Sequence, residues 1–251
     1  MPKRCRKIVK AGNTEEVFTY TSGRIGLKIP VLPKMNETTE KQIKQNEKNA
    51  TNKVRWYING NFNQGDWWLT AEYPPNVRPS PERVKTDIAK FTRNLRKIYQ
   101  KEEKILKYIF SVGIGKRGAA HLHIVLNYIE AEKIANAWRK IVGTKETPYP
   151  TMKFSPMDGR KNHADLAAYI IKNSCETYYD ENRRVYGRRF CKSTNLIPPQ
   201  IEVKIIHTKY IREPRDRKEY YVDRRYTYQG IDENGYPYQH YILVRVNSDD
   251  K

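Results

Sequence analysis

No stretch of this 251-residue chain approaches the roughly 20 consecutive apolar residues that cross a bilayer, and only 38% of its residues are hydrophobic. A membrane-spanning role is excluded on that count. Cysteine is scarce: Cys5, Cys175 and Cys191 are odd in number and scattered, which argues against both a disulfide scaffold and a cysteine-based zinc module. No Gly-x-x-x-x-Gly-Lys-Ser/Thr loop occurs, so no nucleotide cofactor is expected. The opening Met1-Pro2-Lys3-Arg4-Cys5-Arg6-Lys7 is basic but leads into no apolar segment, and the expectation is a reduced, cytoplasmic protein. Acidic residues are also in short supply. Against 28 Asp and Glu stand 48 Lys and Arg, a formal charge of +20, and such an excess suits a polyanionic partner.

Punctuation and periodicity suggest three parts. Residues 1–60 read as an N-terminal arm or short hairpin, broken by Gly12, Gly23, Gly26, Pro30 and Pro33, followed by a mostly solvated helix over 37–59 that docks through Val54, Trp56, Tyr57 and Ile58. In the second part, 61–176, Trp67 to Tyr73 alternates with period two, which puts Trp67, Leu69, Ala71 and Tyr73 on one side of a strand and Trp68, Thr70 and Glu72 on the other. Ser80-Pro81 then has the order of an N-cap and first helical residue, and Val84, Ile88, Phe91, Leu95 and Ile98 recur at helical spacing. Two strand-like runs, 108–114 and 120–126, flank the turn Gly115-Lys116-Arg117-Gly118. A helix ending at Gly143, an extended piece over 151–154 and a helix over about 162–174 complete the part. This order predicts an α+β fold, a ferredoxin-like βαββαβ antiparallel sheet with helices on one face and the other face free for function. The third part, 177–251, is basic and tyrosine-rich, with Asn234-Gly235 marking a β-hairpin; its Tyr and Arg either stack on unpaired bases or simply follow strand preference.

Chemistry concentrates in the second part. His121 and His123 lie two apart in a strand, so both imidazoles leave one face, opposite Leu122, Ile124 and Leu126, and can share a metal ion. A His-x-His pair alone is a weak signal, since exposed surface histidines need no ligand. On the last helix Asp165, Tyr169, Lys172 and Glu176 form one stripe, while Leu166, Ala167, Ile170 and Ile171 form the buried side. A phenol, with its pKa about 10, is a poor nucleophile at neutral pH and needs a nearby cation, which a metal on the phosphate and the Lys172 ammonium would supply.

Taken in order, Leu69-Thr70-Ala71-Glu72-Tyr73, His121-Leu122-His123 and Tyr169-Ile170-Ile171-Lys172 resemble motifs 1, 2 and 3 of the HUH endonucleases, specifically the replication initiators of rolling-circle phages and plasmids. The Gly115–Gly118 turn and the segment from Arg188-Arg189-Phe190 to Asn195-Leu196-Ile197-Pro198-Pro199 extend the resemblance over most of 55–200. It implies that Tyr169 attacks a single-stranded DNA phosphodiester at a replication origin, leaving a 5′-phosphotyrosine and a free 3′-OH, with His121 and His123 holding Mg²⁺ or Mn²⁺ and Lys172 assisting. Strand separation would fall to a separate helicase, that of the host.

Two departures stand out. Relatives often carry a second tyrosine four residues before the nucleophile, where this chain has Asp165. They also carry a carboxylate ligand where this chain has Gly113, which cannot coordinate; Glu72 is the candidate replacement, with water or Asp165 as the alternative. Trp68, Lys116, Arg117, Arg188 and Arg189 are candidate contacts to DNA. Other readings are a relaxase or single-strand transposase with the same chemistry, or a non-catalytic nucleic-acid-binding protein that relies on its charge.

Overall fold

The computed structural model of the chain describes residues 2–23, 39–208 and 210–246. Gly26, Pro30, Pro33 and the first residues of the expected 37–59 helix lie outside them. The chain divides into two compact units: 41–197, and a second assembled from both ends, 1–40 with 198–251. The sequence boundaries at 60 and 176 differ from these, because strand pairing joins the termini to each other and the last helix outruns 176.

In the first unit the elements run α1 (Glu40–Asn61), β3 (Trp67–Glu72), α2 (Pro81–Lys101), β4 (Tyr108–Ile114), β5 (Ala120–Leu126), α3 (Ala131–Val142), β6 (Met152–Pro156), α4 (Ala164–Tyr179) and β7 (Cys191–Lys192), with β1 (Lys3–Ala11) and β2 (Thr14–Ser22) preceding them in the other unit. The sheet order is β6-β3-β5-β4-β7, each neighbour antiparallel, and its first four strands are compatible with the ferredoxin-like βαββαβ arrangement. The histidine strand β5 is central.

Alternation along the strands builds a core on each face. On one face Leu69, Ala71, Phe110, Val112, Leu122, Ile124 and Leu126 meet Val84, Ile88, Phe91 and Leu95 of α2 and Ile134 and Trp138 of α3. Helix α2 starts where expected, with the Ser80 hydroxyl accepting from the Arg83 amide at 3.3 Å and Pro81 in the first turn. The fully buried Trp138 donates from its indole to the Glu72 carbonyl at 2.9 Å, which fixes α3 on β3.

The opposite face is not open, contrary to the expectation from sequence. Val54 and Ile58 of α1 and Ala167, Ile170 and Ile171 of α4 pack on Ile109 and Val125 there. Apolar residues on that face of β4 and β5 would otherwise meet water, so the two remaining amphipathic helices cover them. Helix α4 begins at Ala164 and continues to Tyr179, beyond the expected end at 174.

The second unit adds β8 (Gln200–Ile205), β9 (Tyr220–Val222), β10 (Tyr228–Ile231) and β11 (Pro237–Arg245) to β1 and β2. Its order is β10-β11-β2-β1-β8, with β9 also paired to β11. The N-terminal segment is therefore a β-hairpin inside a sheet rather than an arm, and the hairpin at Asn234-Gly235, where Gly235 adopts a φ of 79°, is one edge of that sheet. Among the described residues no helix is long and apolar enough to cross a membrane.

Candidate active site

Register across the central strands places the candidate residues in rows on the α1/α4 face. Thr70, His123 and Ser111 lie side by side on β3, β5 and β4; Glu72, His121 and Gly113 form the next row, and Trp68, Val125 and Ile109 the row on the other side. The two imidazoles have centroids 4.9 Å apart and are nearly perpendicular. His123 is only 2% exposed. Its Nδ1 lies 3.1 Å from the Thr70 hydroxyl, and its Nε2 is buried with no hydrogen-bond partner. If Nδ1–H donates to Thr70, Nε2 presents a bare lone pair.

Burial keeps both rings uncharged. For His123 it pushes the pKa down to about 4, with the neighbouring His121 adding to the fall. His121 is lowered by burial too, against an opposing pull from the Glu72 carboxylate. Neutral imidazoles at physiological pH are the ligand-competent form.

Helix α4 brings Tyr169 to this pair. Tyr169 is 42% exposed, and its ring stands edge-on to His123, centroids 5.0 Å apart, and to Trp68 at 5.3 Å. Two polar ties hold the helix on β4: Ser111 donates to the Ile170 carbonyl at 3.0 Å and the Ile114 amide donates to the Thr177 hydroxyl at 2.7 Å; within α4, Asn173 donates to the Tyr169 carbonyl at 2.7 Å. Lys172, one turn on, is exposed and forms no ion pair among the described residues. An open groove of about 450 Å³ runs along Tyr169 and Trp68 and is bordered by Asp158, Arg160, His163 and Asp165. His163 sits at the N-terminus of α4, with its backbone amide donating to Asn59 at 3.1 Å.

Gly113 has a structural reason. A Cβ built there would meet the His121 ring, with Cε1 at 2.7 Å, and the Asn173 carbonyl of α4 at 2.8 Å. The space a carboxylate ligand would need is filled by the imidazole itself and by the helix above it.

As for metal donors, the orphaned Nε2 of His123 and the adjacent neutral ring of His121 fit a divalent ion. Glu72 faces His121 in register, yet among the described residues no three His, Cys, Asp or Glu side chains converge as a ligand set. Neither Glu72 nor Asp165 completes a three-donor cage in this geometry.

The candidate DNA contacts separate. Trp68 borders the groove beside Tyr169. Lys116 and Arg117 are exposed on the β4–β5 turn, at the end of the sheet where the Glu72–His121–Gly113 row lies. Arg188 is exposed. Arg189 is not a free cation: its guanidinium lies 4.3 Å from the Tyr178 ring centroid and 5.0 Å from that of Tyr179, and it donates to the Tyr179 hydroxyl. The structure ties it to the C-terminal end of α4, nine and ten residues beyond Tyr169. Thr70 and Ser111, which orient His123 and α4, escaped the sequence reading; strand register opposite His123 was the signal that could have found them.

No curated protein matches the chain. Residues 66–174 match the model of the family described as Replication-associated protein ORF2/G2P. The matched span opens just before β3 and closes inside α4, and so contains both histidines, Tyr169 and Lys172. Over residues 66–174, less than half of its length, the chain is thus similar to the Replication-associated protein ORF2/G2P family, a likeness consistent with a rolling-circle replication initiator.

Proposed function

We propose that the chain nicks and rejoins single-stranded DNA at a replication origin, with Tyr169 as nucleophile. The observation that carries this reading is the edge-on contact of the Tyr169 ring with His123, whose Nε2 is unpartnered and whose neighbour His121 burial also keeps neutral. His121 and His123 would hold Mg²⁺ or Mn²⁺, with water and phosphate oxygens supplying the remaining ligands. When bound, the ion withdraws charge from a phosphoryl oxygen.

This chain's own groups do the rest. Thr70 fixes the His123 ring so that Nε2 faces the reaction. The Tyr169 oxygen forms a bond to phosphorus as the bond to the 3′-oxygen breaks; the phenolic proton passes to solvent, and the leaving oxygen takes one up to become the 3′-OH. Lys172 stabilises the phenolate or the charge on the phosphoryl oxygens. The reverse attack by a 3′-OH rejoins the strand. Trp68, Lys116, Arg117 and Arg188 would engage the strand on either side, and a separate helicase would open the duplex.

The test is covalency. Single-stranded oligonucleotides tiling the replicon's origin region, incubated with the protein and Mn²⁺, should give one species whose mobility shift survives denaturation. Tyr169→Phe should give none, and a chelator should suppress it in the wild type. Equal yields from both proteins would remove Tyr169 from the reaction, and binding with no covalent species at all would favour a non-catalytic DNA-binding protein.

A further inference from the structure

The unit built from the two chain ends has its own cavity, about 610 Å³, between one face of its sheet and residues 206, 208 and 210–217. Thr19 and Gln239, both nearly buried, pair across β2 and β11 and form part of its wall. The Gln239 side chain donates to the Arg212 carbonyl at 2.9 Å, which anchors the segment to the sheet. Five arginines border the cavity, Arg4, Arg6, Arg212, Arg215 and Arg217, against two carboxylates, Glu213 and Asp216.

Several of these charges have work within the fold. Arg217 pairs with Glu15 at 2.8 Å, Arg4 donates to the Thr208 carbonyl at 2.8 Å, and Asp216 accepts from the Val222 amide at 2.8 Å. Arg6, Arg212 and Arg215 are exposed and form no ion pair among the described residues. Unpaired guanidinium groups around one concavity repel one another and favour an anion that presents several oxygens, which phosphodiesters do. Tyr210, 85% exposed, and Tyr241 border the same space and offer rings for stacking. Pockets of roughly 300–1,000 Å³ hold molecules of drug size, so this one takes about one or two unpaired nucleotides and not the side of a duplex.

We propose that the terminal-strand unit carries a second binding site for single-stranded DNA, centred on Arg6, Arg212, Arg215 and Tyr210 and independent of the nicking chemistry at Tyr169. It accounts for the interleaved arginines and tyrosines near the C-terminus, which the reaction does not use.

The probe is an oligodeoxythymidylate of about 20 nucleotides carrying 5-iodouracil, photo-crosslinked to the full chain in a chelator so that no phosphotyrosine forms. Peptide mapping should find adducts on Tyr210 or Tyr241. Combined Arg6→Ala, Arg212→Ala and Arg215→Ala should abolish those adducts and lower the slope of log affinity against log salt by roughly two, given about 0.7 per lost phosphate contact on a single strand. Tyr210→Ala, at a position too exposed to affect folding, should remove its own adduct. Origin nicking by these variants on short oligonucleotides should persist, which separates this site from the first. Adducts confined to residues 41–197, or an unchanged salt slope in the triple variant, would overturn the proposal; equal crosslinking of a duplex at Tyr210 would overturn its preference for single strands.

Discussion

Gly113 decides how the histidine pair is packed. Because a Cβ at this position would collide with the His121 ring and with the Asn173 carbonyl, Gly113→Asp should not restore a third metal ligand. It should displace His121 or lift α4, at a cost of about 1–3 kcal/mol for overpacking. Thermal unfolding should drop by several degrees and covalent capture of DNA should fall; a variant with unchanged melting and stronger metal binding would contradict this account. The imidazoles also set a pH response. Burial lowers the pKa values of His121, His123 and His163, so the folded state holds these rings neutral. The unfolded chain takes up protons first as pH falls through about 6.5, and the stability these neutral rings contribute, full above that value, is lost progressively below it. Chemical denaturation of metal-free protein between pH 7 and 4 should show this decline. His163→Asn, outside the His121/His123 pair, should flatten it by at most one proton's share, and a slope identical to wild type would mean that His163 is solvated.

At the scale of elements, α4 is the part whose docking matters most, and two of its ties differ in a measurable way. Thr177→Val leaves the buried Ile114 amide without an acceptor and should cost about 1–3 kcal/mol. Ser111→Ala removes only one donor to a carbonyl within α4 and should cost about 0.5–1.5 kcal/mol. Equal losses in urea titrations would mean that α4 moves as a unit and that no single bond governs it. This helix also shows what sequence can and cannot give. Its stripe of Asp165, Tyr169, Lys172 and Glu176 and its apolar side of Ala167, Ile170 and Ile171 follow from helical spacing, and all four stripe residues are exposed. Likewise, alternation in β3, β4 and β5 separates Leu122 and Ile124 from His121 and His123 on opposite faces. Which face a helix covers is not a local property. Ile109 and Val125, with Trp68 beside them, hint that the histidine face would be capped, since apolar residues there need cover. Arg189 gave no sign in sequence that two tyrosines ten and eleven residues earlier would hold its guanidinium.

At the scale of the whole molecule, the pairing of the two ends was beyond the reach of pattern reading. Strand β1 pairs with β8, so that Cys5 lies opposite Ile205, and β2 pairs with β11, so that Phe18 lies opposite His240; partners some 200 residues apart in sequence leave no local signature. A sharp expectation follows. Within this sheet β1 and β2 separate β8 from β11, and neither of those strands pairs with the other. Removal of residues 2–23 would strip both of a neighbour and expose Val9, Val17, Ile242 and Val244, all buried at present, to loss or to water. Hydrogen exchange in the truncated chain should show the amides of 200–205 and 237–245 unprotected. The unit 41–197 makes its own sheet and two cores, so its amides in β4 and β5 should keep their protection, and Tyr169 should still form a covalent adduct with origin DNA. Of the formal charge, 41–197 holds 30 Lys and Arg against 15 Asp and Glu, a balance of +15. The truncated chain should therefore retain most of its salt-sensitive affinity for DNA. Loss of protection throughout, together with loss of the adduct, would instead show that the two units fold as one cooperative body.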